Sequence, residues 1–290
     1  MRKPILNKGA SIRARLLNLS KERNQPFDLL LIRYTLERLL YRLSTSTYRE
    51  KFVLKGAMLM RHWLDDPHRP TRDLDLLGFG DSDPDLTLNI FREICAIKAD
   101  DAVVFDTDKL IVDRMREETG YSGLRLKTYA TVDGARVRVV VDIGYGDATE
   151  PGLNVIELPV LLDQPAPTLK AYPYETVIAE KFQAMVDLGL ANTRLKDFYD
   201  IWILAKTYDF KDDRLAQAIA ATFARRKTDI PTELPDGLTS AFANDPAKQQ
   251  QWTEFVAEVA VNPGSLPDVV ETLAAFLLPH AKKARNRKSG

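Results

Sequence analysis

Asp73 and Asp75, separated by Leu74 and followed by Leu76 and Leu77, form the pattern with the clearest chemical meaning. On a strand, residues two apart share a face, so the two carboxylates project together while Leu74 and Leu76 project to the other side. Two like charges held that close repel, and a cation between them relieves the repulsion. Carboxylate oxygens suit a hard ion such as Mg²⁺, which also takes phosphate oxygens from a substrate. Upstream, the apolar run Phe52-Val53-Leu54 ends in Lys55-Gly56-Ala57 and turns into an apolar, helix-like segment with Met58, Leu59, Met60, Trp63 and Leu64. A glycine turn opening a helix aims backbone N–H groups and the positive end of the helix dipole at an anion. Strand, glycine turn, helix and D-x-D strand together predict a metal site beside a phosphate cradle. A D-x-D pair alone is common at solvated strand edges; the specificity lies in the combination and its spacing.

The elements that position these residues can be read in order. Helical periodicity places one helix from about Ala10-Ser11, with Ile12, Leu16, Leu17 and Leu19 on its apolar face, and a second from Phe27 to Leu43. Arg33, Arg38 and Arg42 form a stripe on the second. They are either solvated or paired with Glu37, or else they contact a nucleic-acid backbone. After the D-x-D strand, a polar loop leads to a helix over Pro84 to Lys98 that would bury Cys95. Leu124 to Val132 and Arg136 to Ile143 read as strands, and Asp133-Gly134 between them is a hairpin signal. The second strand ends at Asp142, just before Gly144. An aspartate there suits a third acidic ligand or a base near the first two; the alternative is a turn-capping role.

From Tyr172 the pattern becomes helical. Pro173 starts a helix that Gly189 stops. The next helix, from about Arg194, carries Lys196, Asp197 and Asp200, where Lys196 and Asp200 are spaced for an ion pair. Further helices are expected over Arg214 to Arg226, Ala247 to Val259 and Leu266 to Ala281. The basic stretch Lys282 to Lys288 is expected to fray, either as a solubilising end or as an RNA-contacting arm. The fold class is thus α+β. One domain of N-terminal helices plus a strand-containing core spans residues 1–165, and a C-terminal helical domain spans 166–290.

Composition narrows the classes. Of 290 residues, 45% are hydrophobic and 28% charged, an ordinary globular balance. Forty-one basic residues match 41 acidic ones, so any nucleic-acid surface must be local rather than global. The single cysteine excludes an intramolecular disulfide and a cysteine-rich zinc site. No long apolar core of a signal peptide stands at the N-terminus, and no segment is apolar enough to span a bilayer. A cytoplasmic protein with no membrane association is expected.

Taken as an ordered set, these residues resemble the AbiEii/AbiGii-type (MenT-like) nucleotidyltransferase toxins of type IV toxin–antitoxin systems. The matching stretches are the two N-terminal helices, Phe52 to Ala57, Thr71-Arg72-Asp73-Leu74-Asp75, Val141 to Gly144, Glu180-Lys181 and Arg194 to Asp200. The resemblance implies a polymerase-β-like nucleotidyltransferase core with N-terminal helices and a C-terminal helical bundle. It implies transfer of nucleotides from a nucleoside triphosphate to RNA, with the tRNA 3′ acceptor end as the acceptor, blocking aminoacylation and growth. Asp73 and Asp75 match the family's metal-binding pair, for Mg²⁺ or Mn²⁺. Gly56 matches the phosphate-loop glycine, Lys181 the lysine on the triphosphate, and Asp197, or Asp200 in the same helix, the acidic residue of the last motif. Lys55 and Arg72 flank the site as contacts for triphosphate or RNA, and Asp142 and Lys196 are further substrate-side candidates. Ala57 departs from the usual Gly-Ser, which leaves phosphate contact there to backbone N–H groups. Thr71 stands where some relatives carry a phosphorylated, silencing serine. An AbiEi-like antitoxin is the implied functional partner, and a monomer the default state.

Three rivals remain open on the residues alone. An aspartyl phosphatase favours Thr or Val two residues after its second Asp, where this chain has Leu77. A metal-dependent nuclease favours Glu-x-Lys on adjacent strands, whereas Glu180 and Lys181 are adjacent on a helix. A non-catalytic nucleotide- or RNA-binding protein on a decayed transferase scaffold is compatible with Ala57.

Overall fold

The computed structural model describes residues 7–64, 71–116 and 122–288. The polar loop expected after Leu64 and the first six residues lie outside them. The chain divides into two compact units. Among the described residues, the first takes in 7–64, 71–146 and 155–171, and the second 147–154 and 172–288.

The first unit is built on a mixed sheet. Its strands are β1 (Phe52–Lys55), β2 (Leu74–Gly78), β3 (Val103–Phe105), β4 (Ile111–Arg116), β5 (Ser122–Val132), β6 (Ala135–Tyr145), β7 (Asn154–Glu157) and β8 (Thr168–Ala171), in the order β3-β5-β6-β2-β1-β8-β7, with β4 also pairing β5. β1 and β2 are antiparallel, β2 and β6 parallel, and β5 and β6 form the predicted hairpin. At its tip Asp133 and Gly134 both have positive φ, +46° and +77°, as a two-residue turn matched to strand twist requires. The short strands β3, β4, β7 and β8 are additions to the sequence reading.

Helices α1 (Lys8–Glu22) and α2 (Phe27–Thr45) belong to this unit. Asn7 caps α1 by accepting from the Ala10 N–H at 3.0 Å. Helix α2 is buried nearly all round, with Leu30, Leu31, Tyr34, Leu36, Leu39, Leu40 and Leu43 in the core. Its arginine stripe turns inward. Arg33 pairs with Glu37 at 2.6 Å, and Glu37 also accepts from the Leu161 N–H at 3.0 Å. Arg42 makes two bonds to Asp101, at 2.7 and 3.1 Å, and donates to the carbonyls of Ile97 and Val103. Arg38 donates to the Pro165 carbonyl. The three arginines are only 6%, 1% and 2% exposed, so the nucleic-acid reading of the stripe is overturned. The pairing with Glu37 holds for Arg33.

After β1, Gly56–Leu59 forms a 3-10 turn that passes into a single α turn, α3 (Met60–Trp63). The expected helix is therefore short, and with it the helix-dipole contribution at Gly56; backbone N–H groups are what the turn offers. Helix α4 (Pro84–Ala96) is capped by Asp83 and buries Cys95, as expected. Burial pushes the Cys95 thiol up to about 12. A thiol-alkylating reagent at pH 8 is therefore expected to leave the native chain unlabelled and to label it stoichiometrically in denaturant; mass spectrometry of both states checks this.

The second unit is helical: α5 (Tyr174–Leu188), α6 (Leu195–Thr207), α7 (Arg214–Arg225), α8 (Ser240–Ala243), α9 (Pro246–Val256) and α10 (Leu266–Lys288). Pro173 caps α5, and Gly189 ends it at φ +49°. Aromatic pairs fill the interior, with Phe198 stacked on Phe242 and Phe210 edge-on to Phe276, each 5.1 Å apart. The C-terminal stretch departs from expectation. It does not fray, because α10 continues through Lys288, burying Ala281 and Ala284. Arg287 and Lys283 pair with Asp213 at 3.0 and 3.6 Å, and Arg285 donates to the Pro231 carbonyl.

Candidate active site

The sheet register aligns a row of charged residues. Lys55 on β1 opposes Asp75 on β2, Asp75 lies beside Asp142 on β6, Asp142 opposes Arg125 on β5, and Arg125 opposes Asp113 on β4. Neighbours across a sheet share a face, so the row gathers these side chains on one side. The adjacent row, Leu54, Leu76, Ile143 and Leu124, is wholly buried. The apolar side of the alternation thus fixes which way the carboxylates face.

Asp73 stands at the entry to β2, half-buried like Asp75. The Thr71 hydroxyl donates to Asp73 Oδ1 at 3.1 Å, and Thr71 is itself buried, so a modifying enzyme would reach it only after that segment opens. Arg72 is exposed, while Lys55 and Ala57 are half-buried.

Gly56 bears directly on Asp75. Its φ is +73°, and a Cβ there would come within 2.6 Å of Asp75 Cγ. The carboxylate lies against the bare Cα of the turn, in space that any other residue would fill. Asp75 in that cradle, with Asp73 two residues before it where the chain enters β2, is a donor set that suits a hard divalent cation keeping water and phosphate in its other positions. Among the described residues, no group of three or more His, Cys, Asp or Glu side chains is disposed to hold a metal ion. Gly56→Ala is expected to lower stability by roughly 1–2 kcal/mol from the left-handed backbone alone, and to weaken divalent-cation binding as Asp75 is displaced. Urea unfolding and a Mn²⁺ titration check the two effects separately.

Asp142 has a partner that the sequence reading missed. Arg125 grips it in bidentate fashion, Nε to Oδ1 at 2.7 Å and Nη2 to Oδ2 at 2.6 Å. Those bonds raise the pKa of the Arg125 guanidinium above its usual range, against a smaller opposing effect of burial; the charges of Asp142, Asp73 and Asp75 add to the rise. The signal was present in the hairpin. Arg125 is seven residues before Val132 and Asp142 seven after Ala135, and those two flank the turn as partners.

Lys181, Asp197, Lys196 and Asp200 belong to the second unit. Lys181 on α5 bonds Asp197 and pairs with Asp200 at 3.0 Å, both on α6. Their side chains are 14%, 7% and 0% exposed. The ion pair expected between Lys196 and Asp200 is therefore replaced by one to Lys181, and Lys196 is exposed. Nearby on α5, Glu180 faces Arg226 at 3.6 Å.

The fold has counterparts among solved structures. A candidate nucleotidyltransferase from Helicobacter pylori is similar at a TM-score of 0.52 and 17% identity, over 89% of this chain and 96% of that one. JHP933 from Helicobacter pylori is similar at a TM-score of 0.52 and 18% identity, over 90% and 95%. No curated protein matches. The family model of the nucleotidyl transferase AbiEii toxin, type IV toxin–antitoxin system, matches residues 38–275, and this chain belongs to that family. The expected α+β class is borne out. Among the described residues, no helix is long and apolar enough to cross a membrane.

Proposed function

We propose that this chain transfers a nucleotide from a nucleoside triphosphate to the 3′ acceptor end of tRNA, acting in the cytoplasm as the toxin of a type IV pair opposed by an AbiEi-like antitoxin. The observation that carries the reading is the seat of Asp75 against Gly56 beside Asp73, a two-carboxylate donor set at the end of a glycine turn. Asp73 and Asp75 would hold Mg²⁺, or Mn²⁺ in its place. Such an ion supplies charge neutralisation for the triphosphate and a lowered pKa for the attacking hydroxyl.

The chain's own residues do the rest. The N–H groups of the Gly56-Ala57 turn receive phosphate oxygens, with no hydroxyl at Ala57 to help. Lys55 and Arg72 contact the triphosphate or the RNA backbone. Lys181, in the second unit, corresponds by the family resemblance to a lysine that takes up triphosphate charge, the electrostatic role that dominates phosphoryl chemistry. Asp197 and Asp200 orient Lys181, a role that their bonds to it support. Lys196, exposed on α6, is a candidate RNA contact. A phosphate on Thr71 would put a dianion against Asp73 and silence the site. The chain acts as a monomer.

The test is transfer of label. Purified protein is incubated with total tRNA, Mg²⁺ and each labelled nucleoside triphosphate in turn, beside an Asp73→Asn/Asp75→Asn control. Label on tRNA from one triphosphate, lost in the control, is the expected result. Label on another RNA would move the acceptor. No label on any acceptor, with toxicity surviving the double substitution, would favour a binding protein on a transferase scaffold.

A further inference from the structure

Arg125 takes up both oxygens of the carboxylate that lies beside Asp75 in the sheet. The pair is built to stay together. Asp142 is directly opposite Arg125 in the β5–β6 ladder, so backbone pairing alone brings the two side chains together. Asp113, on the other side of Arg125 in the same row, is itself held by Lys127 at 2.8 Å. Arg125 is thereby left to Asp142. A bidentate guanidinium–carboxylate pair is directional as well as strong, and a fork cannot be replaced by a point charge without losing one of its bonds.

This changes what the acidic row can hold. Three carboxylates, Asp73, Asp75 and Asp142, stand with two cations, Lys55 and Arg125. One divalent ion at Asp73 and Asp75 reverses the net charge of that group. A second, placed beside Asp142, would sit against a guanidinium already fixed there. We infer that Arg125 keeps Asp142 out of the metal site, so that the free chain takes one divalent cation rather than two. Arg125 is then a positioning residue, a permanent cation standing where a second ion would otherwise bind. The inference rests on the proposed role of Asp73 and Asp75 as cation ligands.

The experiment is a Mn²⁺ titration of the full chain without nucleotide, read by the electron paramagnetic resonance signal of free Mn²⁺. It compares the native protein with Arg125→Gln, Asp142→Asn and the Arg125→Gln/Asp142→Asn double variant. One ion per chain is expected for the native protein, two for Arg125→Gln, and one again for the double variant. Asp142→Asn alone is expected to keep one, and it tests the inference even where Arg125→Gln does not fold. Two ions in the native chain, one in folded Arg125→Gln, two in the double variant, or none in Asp142→Asn would each overturn the inference while leaving the Asp73–Asp75 reading standing. Absence of Mn²⁺ from every protein would overturn both.

Discussion

Asp73→Asn/Asp75→Asn protein is expected to fold normally and to lose nucleotide transfer by at least ~10³-fold. Removing a single preorganised electrostatic group from an active site already lowers rates by about 10²–10³. Here both proposed cation ligands are removed together, and no neighbouring carboxylate substitutes, because Asp142 is committed to Arg125. The effect on stability should be small. Both residues are half-buried, and asparagine keeps their shape while removing their mutual repulsion together with their attraction to Arg125. Thermal unfolding should therefore show a melting temperature close to that of the native chain. A variant that loses transfer together with several degrees of stability would point to a structural role for the pair instead.

Lys181→Met should do the reverse and unfold the chain readily. Lys181 sits between Asp197 and Asp200, and the last of these is fully buried. Removing one partner of a buried ion pair leaves an uncompensated charge and typically lowers stability by about 3–5 kcal/mol. The upper half of that range is expected, since two carboxylates lose the cation rather than one. The control is Lys181→Met with Asp197→Asn and Asp200→Asn. With the charges gone, part of the stability should return, because no uncompensated charge stays buried, while the two buried amides still have to find hydrogen-bond partners. Urea midpoints for the two proteins decide it. If the triple variant is no more stable than Lys181→Met, the loss comes from packing and not from charge. Transfer should be lost in both, and its loss in the triple variant once stability has returned is the result that the proposed role of Lys181 in chemistry requires.

What the sequence made legible follows a simple division. Patterns closed within a few residues were readable. The alternation of Asp75 with Leu74 and Leu76 gave the facing of β2, and Asp133-Gly134 gave the hairpin because only such residues accept positive φ twice in succession. Arg33 and Glu37, four apart on one helix, were readable as a pair. Contacts closed over long stretches of chain were not. The partner of Arg42 is Asp101, 59 residues away, and nothing local marks it. Strand β3 is three residues long, too short to show a period. The end of α10 read as a loose basic tail because lysines and arginines dominate it, yet Ala281 and Ala284 are buried, and its cations are drawn to Asp213. Arg125 falls between the two cases, since the turn that fixed its register had been recognised.

Helix α2 draws a line between a recognisable segment and a self-sufficient one. The family match begins at residue 38, inside this helix. A chain started there would lack Leu30, Leu31, Tyr34 and Leu36 from its core. It would also strip the Leu161 N–H of its acceptor on Glu37 and the Asp101 carbonyl of its donor on Tyr34. The border of homology cuts through the keystone of the first unit, and any trimming guided by that border would remove the support and keep the arch.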